Sequence, residues 1–221
     1  MSILISGAGG GLGGAVVSAF LGTGAQVFGV DRSWKSNPHA GSAFHPVEAD
    51  VTTVAGCAAA VSAAEPVDTL VHLVGGFAGG SPVAQSDEAV WDQMMNLNLR
   101  SAFLMIRAAL PNMIERRRGR ILAIGSRAGV EPLAGFSAYT VSKSGLGTLI
   151  KTVALEVKDS GITANVVLPS VIDTPANRAA MPKADYSKWV TPQSIAHLLV
   201  WLASDAASDV NGAAIPIYGR A

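Results

Sequence analysis

Ile3-Leu4-Ile5-Ser6-Gly7-Ala8-Gly9-Gly10-Gly11-Leu12-Gly13 is the stretch on which the fold turns. A short apolar run enters a glycine-rich bend, and a helical pattern follows from about Gly13 to Leu21. Such a bend lets the backbone approach a pyrophosphate without Cβ interference. The free N–H groups and positive dipole end of the following helix then face the anion. Gly7, Gly11, Leu12 and Gly13 are therefore the expected phosphate-side residues.

Outward from this loop, short apolar runs alternate with longer helical patterns. Strands are expected at Ala25–Val30, near Phe44–Val47, and at Val67–Val74, Ile121–Ile124 and Ile162–Leu168. An Ala-rich helix follows Asp50-Val51-Thr52, and long helices are expected over Asp87–Arg117 and Ser137–Asp159. Pro111 is placed to kink the first of these near its end. Ser33 to Gly41 reads as a loop. Continuous rather than alternating apolar strands argue for a parallel sheet covered on both faces. Right-handed crossovers then give an α/β, doubly wound, Rossmann-like domain. With no repeat or linker, residues 1–221 are read as one domain.

Asp31 ends the second strand about 20 residues beyond the glycines, where a carboxylate accepts from both adenosine ribose hydroxyls and repels a 2′-phosphate. NAD(H) is favoured on that ground. Arg32 beside it is able to hold that phosphate instead, so NADP(H) stays open. Asp50-Val51 is expected against the adenine ring, or as an acidic cap on the helix beginning near Thr52.

Ser126, Tyr139 and Lys143 stand at the spacing Ser-x12-Tyr-x3-Lys. Tyr139 and Lys143, four apart, share one face of a helix, and Ser126 ends the strand before it. A hydroxyl, a phenol and an ammonium converging there suit proton exchange with an alcohol oxygen. Lowering a phenol from about 10 by three units takes about 4 kcal/mol. An ammonium about 4 Å away supplies roughly that at an effective dielectric near 20. Lys143 is expected to depress Tyr139 in this way. The plainer role for Ser126 is to cap the turn that follows its strand.

Composition excludes other classes. Lys+Arg and Asp+Glu balance at 16 each, which removes the footprint of a nucleic-acid binder. Arg116-Arg117-Arg118 falls at a helix end, where cations complement the dipole. The single cysteine, Cys57, sits among small residues and reads as a buried structural thiol. No metal site is read from the chain. The N-terminus lacks a basic leader, and no apolar run reaches the ~18 residues of a membrane span. A cytoplasmic protein with no membrane partner is the expectation.

Over nearly its whole length the chain resembles the short-chain dehydrogenase/reductases. The resemblance is carried by Gly7-x3-Gly11-x-Gly13, Asp31, Asp50-Val51, Asn98-Leu99, Ser126, Tyr139-x3-Lys143 and Pro169-Ser-Val-Ile-Asp-Thr174. It implies that Asn98, rather than Asn96, supports a water and the lysine. It also implies that Val74, Gly75, Gly76, Pro169, Ser170, Val171, Ile172 and Thr174 line the dinucleotide, with Lys143 on the nicotinamide ribose. The family's Asn-Asn-Ala-Gly is here His72-Leu73-Val74-Gly75, and its Pro-Gly is Pro169-Ser170. His72, in a strand, reads as a core histidine. Val74–Gly80 and Leu168–Trp189 resemble more closely the quinonoid dihydropteridine reductase branch, whose animal members lack the serine present here as Ser126.

The expected activity is hydride transfer between the nicotinamide and a carbonyl or secondary alcohol. The alternatives are a quinonoid pterin substrate or a non-catalytic redox sensor. Residues 175–190 are expected to form a substrate lid, with Asn177, Arg178, Met181, Tyr186 and Trp189 as contacts alongside Phe77, Ser126 and Tyr139. Small-residue faces (Ala138, Ser142, Gly145 and Gly147; Ser101, Ala102, Ala108 and Ala109) are expected to pack against a second subunit. The resemblance implies a homodimer or homotetramer.

Overall fold

Seven parallel strands make one sheet in the order β3-β2-β1-β4-β5-β6-β7 in the computed structural model of the protein, which describes residues 1–34, 39, 41 and 43–220. The strands are β1 (Ser2–Ser6), β2 (Gln26–Asp31), β3 (Phe44–Glu48), β4 (Thr69–His72), β5 (Gly119–Ile124), β6 (Ile162–Pro169) and β7 (Ala214–Ile217). The helices are α1 (Gly13–Leu21), α2 (Val54–Ala64), α3 (Glu88–Met95), α4 (Ser101–Arg116), α5 (Ser137–Glu156), α6 (Pro175–Ala180) and α7 (Pro192–Ala203). The strand order reverses between β1 and β4. Such a switch opens a crevice at the carboxyl ends of the strands.

Alternation along each strand divides the core. Leu4, Leu70 and Ile121 face residues such as Val61, Met105 and Ile150 of α2, α4 and α5. Ile3, Ile5 and Val71 face Val16 and Phe20 of α1 and Ile195 and Leu199 of α7. Both faces are dry, which is why the strands read as unbroken apolar runs.

Several expectations change. The helix expected over Asp87–Arg117 is interrupted by a π-helical turn, Asn96–Arg100, between α3 and α4. Pro111 lies inside α4 without ending it. Pro111 and Arg107, whose carbonyl the missing N–H would have reached, are both exposed, on the solvent side of the helix where a lost bond costs least. The helices α6 and α7 and the edge strand β7 add to the elements read from the sequence. Of the loop expected over 33–41, residues 35–38 and 40 lie outside the described set.

Part of each small-residue face serves the chain's own packing, while Ala108 and Gly147 stay half-buried. Ala138, Ser142, Ser101, Ala102 and Ala109 are all buried. A Cβ on Gly145 would lie 2.9 Å from Leu99 Cδ2, so the missing side chain lets α5 approach the π turn. Cys57 is buried, donates to the Val51 carbonyl at 3.2 Å and is pushed up by burial to about 11. Arg116 pairs with Asp68 at 3.0 Å, tying the end of α4 to the start of β4. Among the described residues no helix is long and apolar enough to cross a membrane.

Candidate active site

The glycine loop leaves β1 by turning onto its neighbours. The amides of Gly7 and Ala8 both donate to Val30 O, at 2.8 and 3.1 Å. Gly7 has φ +79°, and a Cβ there would sit 3.0 Å from Val74 N. A Cβ on Gly13 would fall 2.1 Å from Ala8 O, so α1 starts closer to the loop than any side chain permits. Leu12 is buried in the core under α1. Asp31 reaches back over the loop, accepting from Gly9 N at 3.0 Å and from Arg32 N at 2.8 Å. The Arg32 side chain is exposed beside it. Asp50 accepts from Thr52 N and Oγ1, and these bonds hold its carboxyl below the usual range. Thr53, whose Oγ1 accepts from Gly56 N, caps α2. Val51 is buried, so only Asp50 of this pair is exposed.

Across the crevice, Ser126 follows β5, is buried, and accepts from Ala128 N at 3.1 Å. The turn-capping and converging roles coexist, because the Ser126 hydroxyl also acts on the Tyr139 phenol and pulls its pKa down. Tyr139 lies in the first turn of α5 and Lys143 one turn later, its Nζ donating to Ile124 O at 2.9 Å. Burial pushes Lys143 down to about 8. Burial pushes Tyr139 up, and the Ser126 bond only partly opposes this. This corrects the expectation that Lys143 alone depresses the phenol. Removal from water disfavours charge on both groups.

The π turn carries Asn98 into the same region. Asn98 is fully buried and clamps Gly76 at both ends, accepting from its N–H at 2.8 Å and donating to its carbonyl at 3.1 Å. It also donates to Ser142 Oγ at 3.0 Å. A Cβ on Gly75 would lie 2.8 Å from Asn98 Oδ1 and 3.1 Å from Lys143 Nζ. Asn98, Gly75 and Lys143 thus meet, whereas Asn96 lies beside Arg100. His72 is buried between Ser6 and Ser101, and burial followed by the Lys143 charge pushes it down to about 3.

Pro169 ends β6, and Ser170 Oγ donates to Tyr218 O at 2.7 Å. Val171 and Ile172 run beside Val190, with Val190 N donating to Val171 O at 3.0 Å. Thr174 is buried, caps α6 by accepting from Asn177 N, and lies against Gly11, where a Cβ would be 3.2 Å from its Cγ2. Asn177 donates to Ile172 O at 2.8 Å. Arg178 makes a two-point bond to Asp173, at 2.6 and 2.8 Å, and lies over the Tyr186 ring. That pairing lowers Asp173 and raises Arg178. Met181 is exposed, whereas Trp189 is buried against Tyr186 at the base of the segment. Phe77, 63% exposed, stacks on Phe136 at 4.9 Å and meets the Tyr139 ring edge-on at 4.8 Å. Phe136 and Asp173 were not singled out in the sequence. The aromatic placed just before the Tyr139 helix was the only available signal for the first.

Known proteins share this architecture. The family model for short chain dehydrogenases matches residues 1–185. A 2-(S)-hydroxypropyl-CoM dehydrogenase of Xanthobacter autotrophicus is 33% identical, over 98% of this chain and 94% of its own length. A crystal structure of a Burkholderia thailandensis oxidoreductase of the short chain dehydrogenase/reductase family superposes with a TM-score of 0.89. It is 34% identical, over 98% of this chain and 90% of that one. ElxO with NADP bound superposes with a TM-score of 0.90 at 23% identity, over 99% of this chain and 98% of its own, a likeness of fold.

Proposed function

The chain belongs to the short-chain dehydrogenase/reductase family, and on that premise we propose that it transfers hydride between NAD(H) and a carbonyl or secondary alcohol, with Ser126, Tyr139 and Lys143 handling the proton. The observation that carries the reading is the convergence of three groups at the end of β5: buried Ser126, Tyr139 whose phenol Ser126 acts on, and buried Lys143, whose Nζ donates to Ile124 O at 2.9 Å. We read residues 1–221 as one domain with its substrate lid over residues 175–190, in a cytoplasmic setting.

The cradle fits a dinucleotide. Gly7, Gly11, Leu12 and Gly13 would carry the backbone past the pyrophosphate at the N-terminus of α1, and the missing Cβ of Gly11 leaves room beside Thr174. Asp31 and Arg32 would take the adenosine ribose, and Asp50 and Val51 the adenine side. Val74, Gly75, Gly76, Pro169, Ser170, Val171, Ile172 and Thr174 would flank the nicotinamide end. Asp31 still favours NAD(H), since its carboxylate lies over Gly9 at 3.0 Å. NADP(H) is the alternative. The dinucleotide supplies the hydride acceptor or donor when bound.

Tyr139 gives a proton to the developing alkoxide in reduction and takes it from the alcohol in oxidation. Ser126 holds the substrate oxygen, and its bond strengthens as negative charge grows there, which is preferential binding of the transition state. Lys143 stabilises the phenolate and is itself steadied by Ile124 O and the Asn98–Gly76 clamp. Phe77, Asn177, Arg178, Met181 and Trp189 remain the proposed substrate-side residues. Phe77 offers an open ring face, while Arg178 reaches a ligand only by sharing Asp173.

A panel of ketones and secondary alcohols, followed by NADH absorbance, tests the reading. Quinonoid dihydropterin belongs on that panel because the exposed face of Phe77 suits a planar ring. Turnover of the pterin alone would transfer the assignment to that branch. Tight NADH binding with no turnover of any substrate would favour a redox sensor. We further propose a homodimer or homotetramer formed through the outer faces of α3, α4 and α5, where Trp91, Phe103, Val141 and Leu155 are exposed.

A further inference from the structure

His72 occupies the last position of β4, paired across the sheet with Ser6 of β1, the residue before the glycine loop. Its Nδ1 lies 2.8 Å from Ser6 Oγ and its Nε2 3.1 Å from Ser101 Oγ. Ser101 in turn donates to Leu97 O at 2.6 Å. All three side chains are buried, at 1% exposure or less. The far end fixes the direction of the chain. A carbonyl only accepts, so the Ser101 hydrogen is committed to Leu97, and its oxygen must accept from Nε2–H. Nδ1 is then bare and accepts the Ser6 hydroxyl hydrogen. With its pKa near 3, the ring stays neutral at ordinary pH and holds this tautomer.

The chain runs between two parts of the site that also meet where Gly7 packs against Val74. At one end Ser6 sets the exit of β1 into Gly7, whose amide bonds Val30 O. At the other, Ser101 and Leu97 bracket Asn98 in the π turn, and Asn98 clamps Gly76 beside Lys143. An imidazole is a rigid spacer with a polar atom on each side. A shorter amide at this position reaches one serine at a time.

We propose that His72 is a positioning residue, a strut that couples seating of the dinucleotide on the glycine loop to the placement of Asn98 and Lys143. The proposal rests on the functional reading above. Two cross-readouts test it, each altering one end and measuring the other. Ser101→Ala, which does not touch the glycine loop, weakens NADH binding by about threefold or more in fluorescence titration. The same substitution has no such effect in a His72→Phe background, because coupling through an intermediate vanishes with the intermediate. Ser6→Ala lowers kcat on the best substrate of the panel by a similar factor, again only while His72 is present. Should His72→Phe not fold, His72→Asn serves as the background, since it breaks one arm. Unchanged NADH binding in Ser101→Ala, or equal losses in both backgrounds, would overturn the strut. A wild-type protein that binds NADH but turns over nothing would defeat the functional reading, and the binding arm would still decide this one.

Discussion

Tyr139 and Lys143 are held in a place that penalises the charges their chemistry needs. For the phenol, the consequence is that Tyr139→Phe should abolish turnover while NADH still binds, because the ring and its contact with Phe77 survive and only the proton is lost. Retention of near-normal kcat would remove Tyr139 from the mechanism. For the amine, burial moves the pKa from 10.5 to about 8, which corresponds to about 3 kcal/mol at ~1.4 kcal/mol per unit. Between those two values the unfolded chain binds the proton and the folded one does not, so stability rises with pH through that window. Below about 8 the penalty is felt in full. In Lys143→Met this slope is absent. The unfolding free energy of wild type minus variant should therefore climb by up to about 3 kcal/mol as pH rises from ~7.5 to ~10.5. A flat difference in urea titrations across that range would show that Lys143 is solvated. The phenol's opposite contribution begins only above its ordinary 10, so the slope below that pH belongs to Lys143.

At the scale of elements, the loop-to-α1 junction offers a paired test. Gly13→Ala drives a Cβ to 2.1 Å from the Ala8 carbonyl, backbone against backbone, so the helix must shift. Overpacking of this kind costs about 1–3 kcal/mol or more, and NADH affinity should fall with it. Gly14→Ala, one residue on in the same helix, meets nothing within 4 Å and should be neutral or stabilising by about 0.5–1 kcal/mol. Chemical denaturation and NADH titration of the two variants check both outcomes. Equal behaviour would mean that the close approach is not needed. The elements also show where reading a sequence reaches its limit. α7 carried its signals, with Thr191 as cap, Pro192 at its start and Ile195, Leu199 and Leu202 at helical spacing. β7 hid itself, because Pro216 argues against a strand except at an edge, which is where it lies. The π turn shifts the hydrogen-bond ladder by one residue over a single turn, too little to disturb an apolar periodicity.

For the whole molecule, α3, α4 and α5 each leave apolar side chains outside, as do other segments such as α7 with Trp201. Trp91, Phe103, Val141 and Leu155 are 41%, 46%, 43% and 72% exposed. The proposed oligomer covers them, so Phe103→Asp should reduce the mass measured by light scattering to that of one chain while leaving NADH binding in place. An unchanged mass would put the interface elsewhere. The glycine loop, the Ser126-Tyr139-Lys143 spacing and the alternation of apolar runs were legible at once, because each is local. Spacing and periodicity follow from the chain's own geometry, which fixed the doubly wound parallel sheet and the identity of the residues at its carboxyl edge. Contacts between distant segments decided the rest. These are the two-ended hold of Asn98 on Gly76, the pairing of Arg178 with Asp173, the inward turn of part of the small helix faces, and the burial that raises the Tyr139 phenol. Each depends on how much water and which neighbour a side chain meets after folding, and the order of residues along a chain does not contain that quantity.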